Sequence, residues 1–236
     1  MKKTIISCVL FLTAVTAFSQ TPMKTAAEAK LSASDLAVKI ADRILATTTY
    51  EFKNTKTGKT YKSVKNLPLD MNVKVACKYN NWHYTNGVTH IALMELADKT
   101  GAKKYDDYVL KNMNFVFNEG NLDFFKKQYE QAMKNEGWYG VRKLSWHMIF
   151  RGKRLDDNGP MGASLIDLQM KHPNNSFLNY INETAEHLNY GEPRLADGTI
   201  ARIWPHENTI WADDAFMAIS FLARMAKMTG DMSYIN

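Results

Sequence analysis

Two pairs of adjacent aspartates stand at the starts of two apolar segments with helical spacing. Asp213 and Asp214 follow Trp211 in the stretch TIWADDAFMA, and Asp156 and Asp157 lie in RLDDNGPMGA. Carboxylates that are held close together and partly buried repel each other, which raises the pKa of one of them. A carboxyl of this kind keeps its proton near neutral pH and can donate it, as general acid/base chemistry on a sugar requires.

A structural role for the aspartates is the alternative. An aspartate at the start of a helix caps free backbone N–H groups and interacts favourably with the helix dipole. Capping explains one aspartate for each helix. It does not readily explain two at each of two helices, so the pattern favours two helix N-termini that face one cavity.

Aromatic and polar residues near these pairs are candidates for sugar contacts. Four aromatic side chains could stack on pyranose faces: Trp82, Tyr84, Trp204 and Trp211. Arg202 and His206 precede Trp211 and could contact a carboxylate or a hydroxyl. The alternatives are a core role for the tryptophans and a backbone-bonded loop position for His206.

Other chemistries lack support in the sequence. The chain has no HExxH, no histidine pair at i, i+4, no CxxC, no phosphate-binding loop and no GxSxG, so neither a metal nor a cofactor is predicted. The formal net charge of +6 is spread along the chain. The most basic stretch, residues 53–65, is typical of a solvated hairpin or loop, and nucleic-acid binding is not predicted.

Hydrophobic periodicity predicts a mainly helical protein. The predicted helices cover 33–48, 81–101, 103–117, 122–135, 160–172, 176–190 and 213–230. Residues 51–75 have some strand character. Residues 191–208 are predicted to form a loop rich in Gly, Pro and Asp, in which Asp197 and Gly198 favour a short hairpin.

An internal repeat indicates stacked helical hairpins. LADKTGAKKYDDYV and MAKMTGDMSYIN both place an apolar helix before Thr-Gly, three further residues and a tyrosine. Repeated hairpins stack into rings or solenoids because one pair of helices cannot bury its own apolar faces. The second copy ends at Asn236, about one turn into its second helix, which predicts a ring that is incomplete at its C-terminus.

The N-terminus predicts export. Residues 1–19 combine two lysines, an apolar stretch and small residues near Ser19, as a cleaved secretory signal does, and the stretch is too short for a membrane anchor. Residues 20–236 are then expected to form the N-terminal part of a single domain, periplasmic or secreted. Cys77 is its one cysteine, so no internal disulfide is expected.

Three stretches carry a family resemblance. WHYTNGVTHIALMELADKTG, RLDDNGPMGASLIDL and RIWPHENTIWADDAFMAISFLARMAKMTGD resemble the unsaturated glucuronyl and rhamnogalacturonyl hydrolases, glycoside hydrolase families 88 and 105. The similarity runs from about Trp82 to the C-terminus. It implies an all-α (α/α)6 barrel, a toroid of six helical hairpins of which this chain would hold little more than half.

The resemblance also implies a reaction and its residues. Such enzymes remove the 4,5-unsaturated uronic acid that lyases leave at a non-reducing end, by protonating C4 and adding water at C5. Asp213 matches the proton donor in the W-x-D position, and Asp156 or Asp157 matches the second carboxylate, with the spacing to Gly162 favouring Asp157. Asp214 replaces a glycine found in some members, so it is a second candidate donor and a possible substrate contact.

The expected partner is therefore an oligosaccharide that bears an unsaturated uronic acid, with no nucleic acid or membrane involved. Two other functions stay open. One is a conventional glycosidase that uses two carboxylates on saturated sugars. The other is a non-catalytic carbohydrate-binding or structural helical domain.

Overall fold

The computed structural model describes residues 31–151, 155–203 and 205–235. The predicted signal at 1–19 and the predicted sugar contact at Trp204 lie outside these residues. The chain divides into two units, Met1–Ala37 and Val38–Asn236. The described part of the first unit, residues 31–37, contains the start of the first helix.

Seven α-helices account for most of the described residues, which confirms the all-α class. They are α1 (Ala33–Thr47), α2 (Tyr84–Thr100), α3 (Lys104–Val116), α4 (Glu119–Val141), α5 (Leu155–Lys171), α6 (Asn175–Glu186) and α7 (Ala212–Thr229). Turns of 3-10 helix occupy His147–Phe150 and Met232–Tyr234, and a π-helical turn, His187–Gly191, follows α6. None of the described helices is long and apolar enough to cross a membrane.

A small antiparallel sheet fills the predicted strand region. Its strands are β1 (Phe52–Asn54), β2 (Thr60–Tyr61) and β3 (Val73–Val75), in the order β2-β1-β3. Phe52 pairs with Tyr61 on one side and with Val75 on the other. Phe52 is fully buried, and its ring packs against aromatic side chains of α3 and α4, so the sheet is attached to the helical core.

The helices associate as hairpins. Helix α2 packs against α3, and α5 packs against α6; the two hairpins meet through α2 and α5, and α5 also packs against α7. One helix of each hairpin therefore contacts the next hairpin, as the inner helices of an α/α toroid do. Both Thr-Gly stops are confirmed, because Gly101 and Gly230 end α2 and α7 with φ of 71° and 77°.

Two helices differ from their predicted bounds. Helix α5 begins at Leu155, not at Pro160, so the aspartate pair lies in its first turn, where carboxylates interact favourably with the dipole. Pro160 then lies inside the helix and cannot donate to the carbonyl of Asp156. Helix α4 is longer than 122–135, since Asn118 caps it and the helix continues past a kink at Gly137.

Two glycines allow the helix backbones around α5 to touch. A Cβ atom on Gly159 would collide with the carbonyl oxygen of Met217 in α7, and one on Gly87 in α2 would collide with the backbone of Pro160. Met161 and Phe221 lie beside these two contacts between helix backbones, and both side chains are fully buried. The approach of α5 to α7 brings the N-termini of these two helices, with their aspartates, to one place.

We expect the stability of the fold to fall below neutral pH because of two buried histidines. Burial lowers the pKa of His90 and of His147 from 6.5 to about 4. Between these pH values the unfolded chain binds protons that the folded chain does not. The free energy of unfolding should therefore decrease as the pH falls, by up to about 1.4 kcal/mol per pH unit for each histidine.

Urea denaturation of the parent and of His90→Leu, at neutral pH and at about pH 5, measures this effect. The difference between the two proteins isolates His90 from carboxyl groups that titrate in the same range. The variant should lose less stability on acidification than the parent. The same loss in both proteins would show that His90 takes up a proton without unfolding.

Candidate active site

A cavity of about 370 Å³ lies where the N-termini of α5 and α7 meet the π-helical turn and the loop that follows it. Five of its lining residues are charged or titratable: Asp156, His187, Glu192, Arg202 and Asp214. Apolar residues such as Leu155 and Ile200 form much of the remaining wall. The cavity thus combines apolar walls with converging polar groups, as ligand sites do.

Arg202 connects the two aspartate pairs. Its Nε and Nη2 donate to the two oxygens of Asp214 at 2.7 and 2.6 Å, and Nη2 also donates to Asp156 Oδ1 at 3.0 Å. The hydrogen bonds that Arg202 donates to Asp214 raise the pKa of Arg202 further above its usual range. The expected meeting of carboxylates from two helix N-termini therefore occurs, with a guanidinium between them.

The loop before α7 positions Arg202. Gly198, with φ of 88°, turns the chain where the hairpin was predicted, and Arg194 pairs with Ile200 across that turn. A second bridge follows, in which the backbone N–H of Arg202 donates to the carbonyl of Thr209 at 2.8 Å. These contacts fix the backbone from which the guanidinium reaches both helices.

Asp214 caps its helix and also holds Arg202. Its Oδ2 accepts a hydrogen bond from the backbone N–H of Trp211 at 3.2 Å, so it closes the N-terminus of α7. Its side chain is 4% exposed and holds Arg202 at the cavity. The guanidinium of Arg202 stacks on the Trp211 ring, with 4.1 Å between Cζ and the ring centroid.

The other member of each pair has different surroundings. Asp157 is buried, its Oδ2 accepts from Arg151 Nη1 at 3.1 Å, and its carbonyl accepts from Trp82 Nε1 at 2.8 Å. Asp213 is exposed in the first turn of α7, and its charge contributes to the raised pKa of Arg202. The structure therefore joins Asp156 with Asp214, whereas Asp157 interacts with a separate arginine.

The predicted aromatic contacts fall into two groups. Trp82 is 1% exposed and packs edge to face on Tyr180, with 4.9 Å between the ring centroids. Its ring faces are therefore not open to a sugar. The predicted stacking role of Trp82 was wrong, and the residue belongs to the core. Trp211 and Tyr84 are exposed, and the Tyr84 ring lies 4.5 Å from that of His83. His206 is exposed, and its carbonyl accepts from Thr209.

Glu192 and His187 also line the cavity and were not predicted from the sequence. His187 Nε2 and Glu192 Oε1 are 2.9 Å apart, and both side chains are largely buried against the cavity. Burial raises the pKa of Glu192, the charges of Asp156 and Asp214 raise it further, and His187 opposes them. Glu192 stands in a Gly-Pro loop without periodicity, so no sequence pattern pointed to it.

No metal centre is evident in the described part of the chain. Residues 31–151, 155–203 and 205–235 contain no group of three or more His, Cys, Asp or Glu side chains placed to hold an ion.

Comparison with known proteins supplies the family. The model of Glycosyl Hydrolase Family 88 matches residues 55–236, which include every cavity residue described above. A search of curated protein sequences finds no significant match. The mainly helical fold agrees with the toroid of that family. Because the match covers well over half of the chain, the protein belongs to Glycosyl Hydrolase Family 88 and is a glycoside hydrolase that acts on a saccharide.

Proposed function

We propose that the protein removes a 4,5-unsaturated uronic acid from the non-reducing end of oligosaccharides that polysaccharide lyases release, with unsaturated rhamnogalacturonyl units as the preferred substrate. The observation that carries the proposal is the Arg202 bridge between Asp156 and Asp214. It places carboxylates from two helix N-termini and one cation at a single cavity, beside the exposed Asp213.

Arg202 is the cation available to the uronate carboxylate. Its Nε and Nη2 are engaged by the two aspartates, whereas its Nη1 has no hydrogen-bond partner among the described residues. The two N–H groups of Nη1 are therefore the ones left to donate to a carboxylate ligand. Stacking on Trp211 holds the guanidinium plane in place.

Asp213 supplies the proton in the proposed reaction. Its carboxylic acid protonates C4 of the vinyl ether, which leaves an oxocarbenium ion at C5. Water adds to C5 and returns a proton to the Asp213 carboxylate. The resulting hemiketal opens to a ketone at C5 and a hemiacetal at C1. The hemiacetal then breaks down to an aldehyde and releases the rest of the oligosaccharide.

We also propose that the N-terminal signal exports the protein to the substrate.

Ultraviolet absorbance tests the reaction directly. The double bond of the unsaturated uronate is conjugated with its carboxylate, and hydration removes the absorption band. Incubation of the protein with an unsaturated rhamnogalacturonan disaccharide and with an unsaturated glucuronyl disaccharide should remove the band, faster for the first. Release of reducing sugar from saturated substrates, with the band of the unsaturated disaccharides unchanged, would instead support a conventional glycosidase. Binding without turnover would support the non-catalytic alternative.

A further inference from the structure

We propose that Glu192 is a substrate-binding residue of the cavity, where it accepts hydrogen bonds from sugar hydroxyls, and that His187 is a positioning residue that holds its carboxylate in place. The proposal rests on the proposed function in one respect, namely that the cavity receives a uronyl sugar. Glu192 and His187 both line that cavity together with Asp156, Arg202 and Asp214.

The π-helical turn creates the pair. The backbone N–H of Glu192 donates to the carbonyl of His187 at 3.0 Å, an i→i+5 bond that widens the last turn after α6. This wider turn places side chains five residues apart next to each other, and His187 Nε2 contacts Glu192 Oε1 at 2.9 Å. Single π-helical turns occur frequently at functional sites.

A glycine gives the imidazole its space. A Cβ atom on Gly191 would lie 2.5 Å from His187 Nδ1, so a larger residue would displace the ring from Glu192. Arg194 supports the same turn from the outside, because its Nη2 donates to the carbonyl of Leu188 at 3.2 Å. The turn therefore holds the pair by backbone and side-chain contacts on both sides.

Glu192 has acceptor capacity that the protein leaves unused. Its Oε1 is paired with His187, whereas its Oε2 has no hydrogen-bond partner among the described residues. The groups that face it are His187, Asp156 and Asp214, and the two aspartates already share Arg202. This second oxygen can accept hydrogen bonds from a ligand in the cavity, and sugar hydroxyls are donors that would supply them.

Variants at the pair separate a binding role from a structural one. Glu192→Gln keeps the shape and removes the anionic acceptor. His187→Gln keeps an N–H donor toward Glu192, and His187→Leu removes it. Glu186→Gln is the matched control, because Glu186 is the exposed carboxylate at the end of α6, one residue before the pair.

Two readouts are compared for each variant: calorimetric binding of D-glucuronate, and kcat and KM on the unsaturated disaccharide. We expect Glu192→Gln to weaken glucuronate binding and to raise KM by about tenfold or more, with kcat changed by less than about threefold. His187→Leu should behave similarly and His187→Gln should recover most of the loss, whereas Glu186→Gln should match the parent. If Glu192→Gln melts below the assay temperature, Glu192→Asp replaces it, because it keeps the charge but withdraws the oxygens.

The outcomes distinguish this proposal from the proposed function. Parent-like glucuronate binding by Glu192→Gln, or no glucuronate binding by the parent, would overturn the role of Glu192. Equal binding by His187→Leu and His187→Gln would overturn the role of His187. If the parent binds glucuronate and Glu192→Gln does not, but the unsaturated disaccharide keeps its absorption band, the proposed reaction fails and the binding role stands.

Discussion

Replacement of Asp213 by asparagine should lower kcat on the unsaturated disaccharide by about a thousandfold and leave the melting temperature nearly unchanged. Asparagine cannot deliver a proton to C4, and loss of a general acid typically costs a factor of about 10² to 10⁴. The Asp213 side chain is exposed and has no hydrogen bond to another described residue, so its removal should change the free energy of unfolding by less than about 0.5 kcal/mol.

Asp214→Asn is the comparison that decides which neighbour donates the proton. Asp214 is buried, caps α7 and holds Arg202 through both of its oxygens. We therefore expect Asp214→Asn to lose stability as well as activity. Full activity of Asp213→Asn would refute the assignment, and a loss of turnover in Asp214→Asn without any change in its melting temperature would transfer the donor role to Asp214.

Replacement of Arg202 by methionine should lower the free energy of unfolding by about 3–5 kcal/mol, because it leaves a buried carboxylate without its counter-ion. The Asp214 side chain is 4% exposed, and Asp156 also loses its hydrogen bond to Nη2. The variant should also fail to bind a uronate, since the cavity loses its guanidinium. Urea denaturation at neutral pH measures the first effect, and glucuronate calorimetry measures the second.

Two controls show whether the loss comes from the unpaired charge. The double variant Arg202→Met/Asp214→Asn removes both ions and should recover a large part of the lost stability. Arg224→Met breaks a more exposed arginine pair, which joins α7 to α5: Arg224 Nε donates to Asp167 Oδ2 at 2.8 Å, and both side chains are 22% exposed. Its cost should be smaller because water can reach the remaining carboxylate. Equal costs for Arg202→Met and Arg224→Met would contradict the argument from burial.

The helices could be predicted from sequence because their determinants are local. Apolar spacing and a glycine in the left-handed region define α2 and α7, and the structure keeps both within a few residues of the predicted bounds. The start of α5 was missed because Pro160 suggested a first turn at that residue, whereas the aspartates upstream begin the helix. Packing of this segment against α2 and α7 therefore stabilises a helix that includes Pro160, although proline on its own favours the first turn.

The site could be predicted only in part. Adjacent residues on a helix point about 100° apart, so only one aspartate of each pair can face Arg202, and the sequence does not say which. The choice depends on how α5 and α7 pack, which also decides that Trp82 lies in the core. Glu192 reaches the cavity through an i→i+5 turn, a geometry that has no periodic signature in the residues that form it.

The close approach of α5 to its neighbours limits how this enzyme can be engineered for heat resistance. Glycine-to-alanine replacement in helices is a routine way to raise the melting temperature, because it lowers the conformational entropy of the unfolded chain. At Gly87 and Gly159 the added methyl group would push one helix backbone away from another. At Gly159, where α5 meets α7, such a shift would also separate the N-termini of these two helices. Alanine at this position would therefore disrupt the geometry of the candidate site, whatever it did for the unfolded chain.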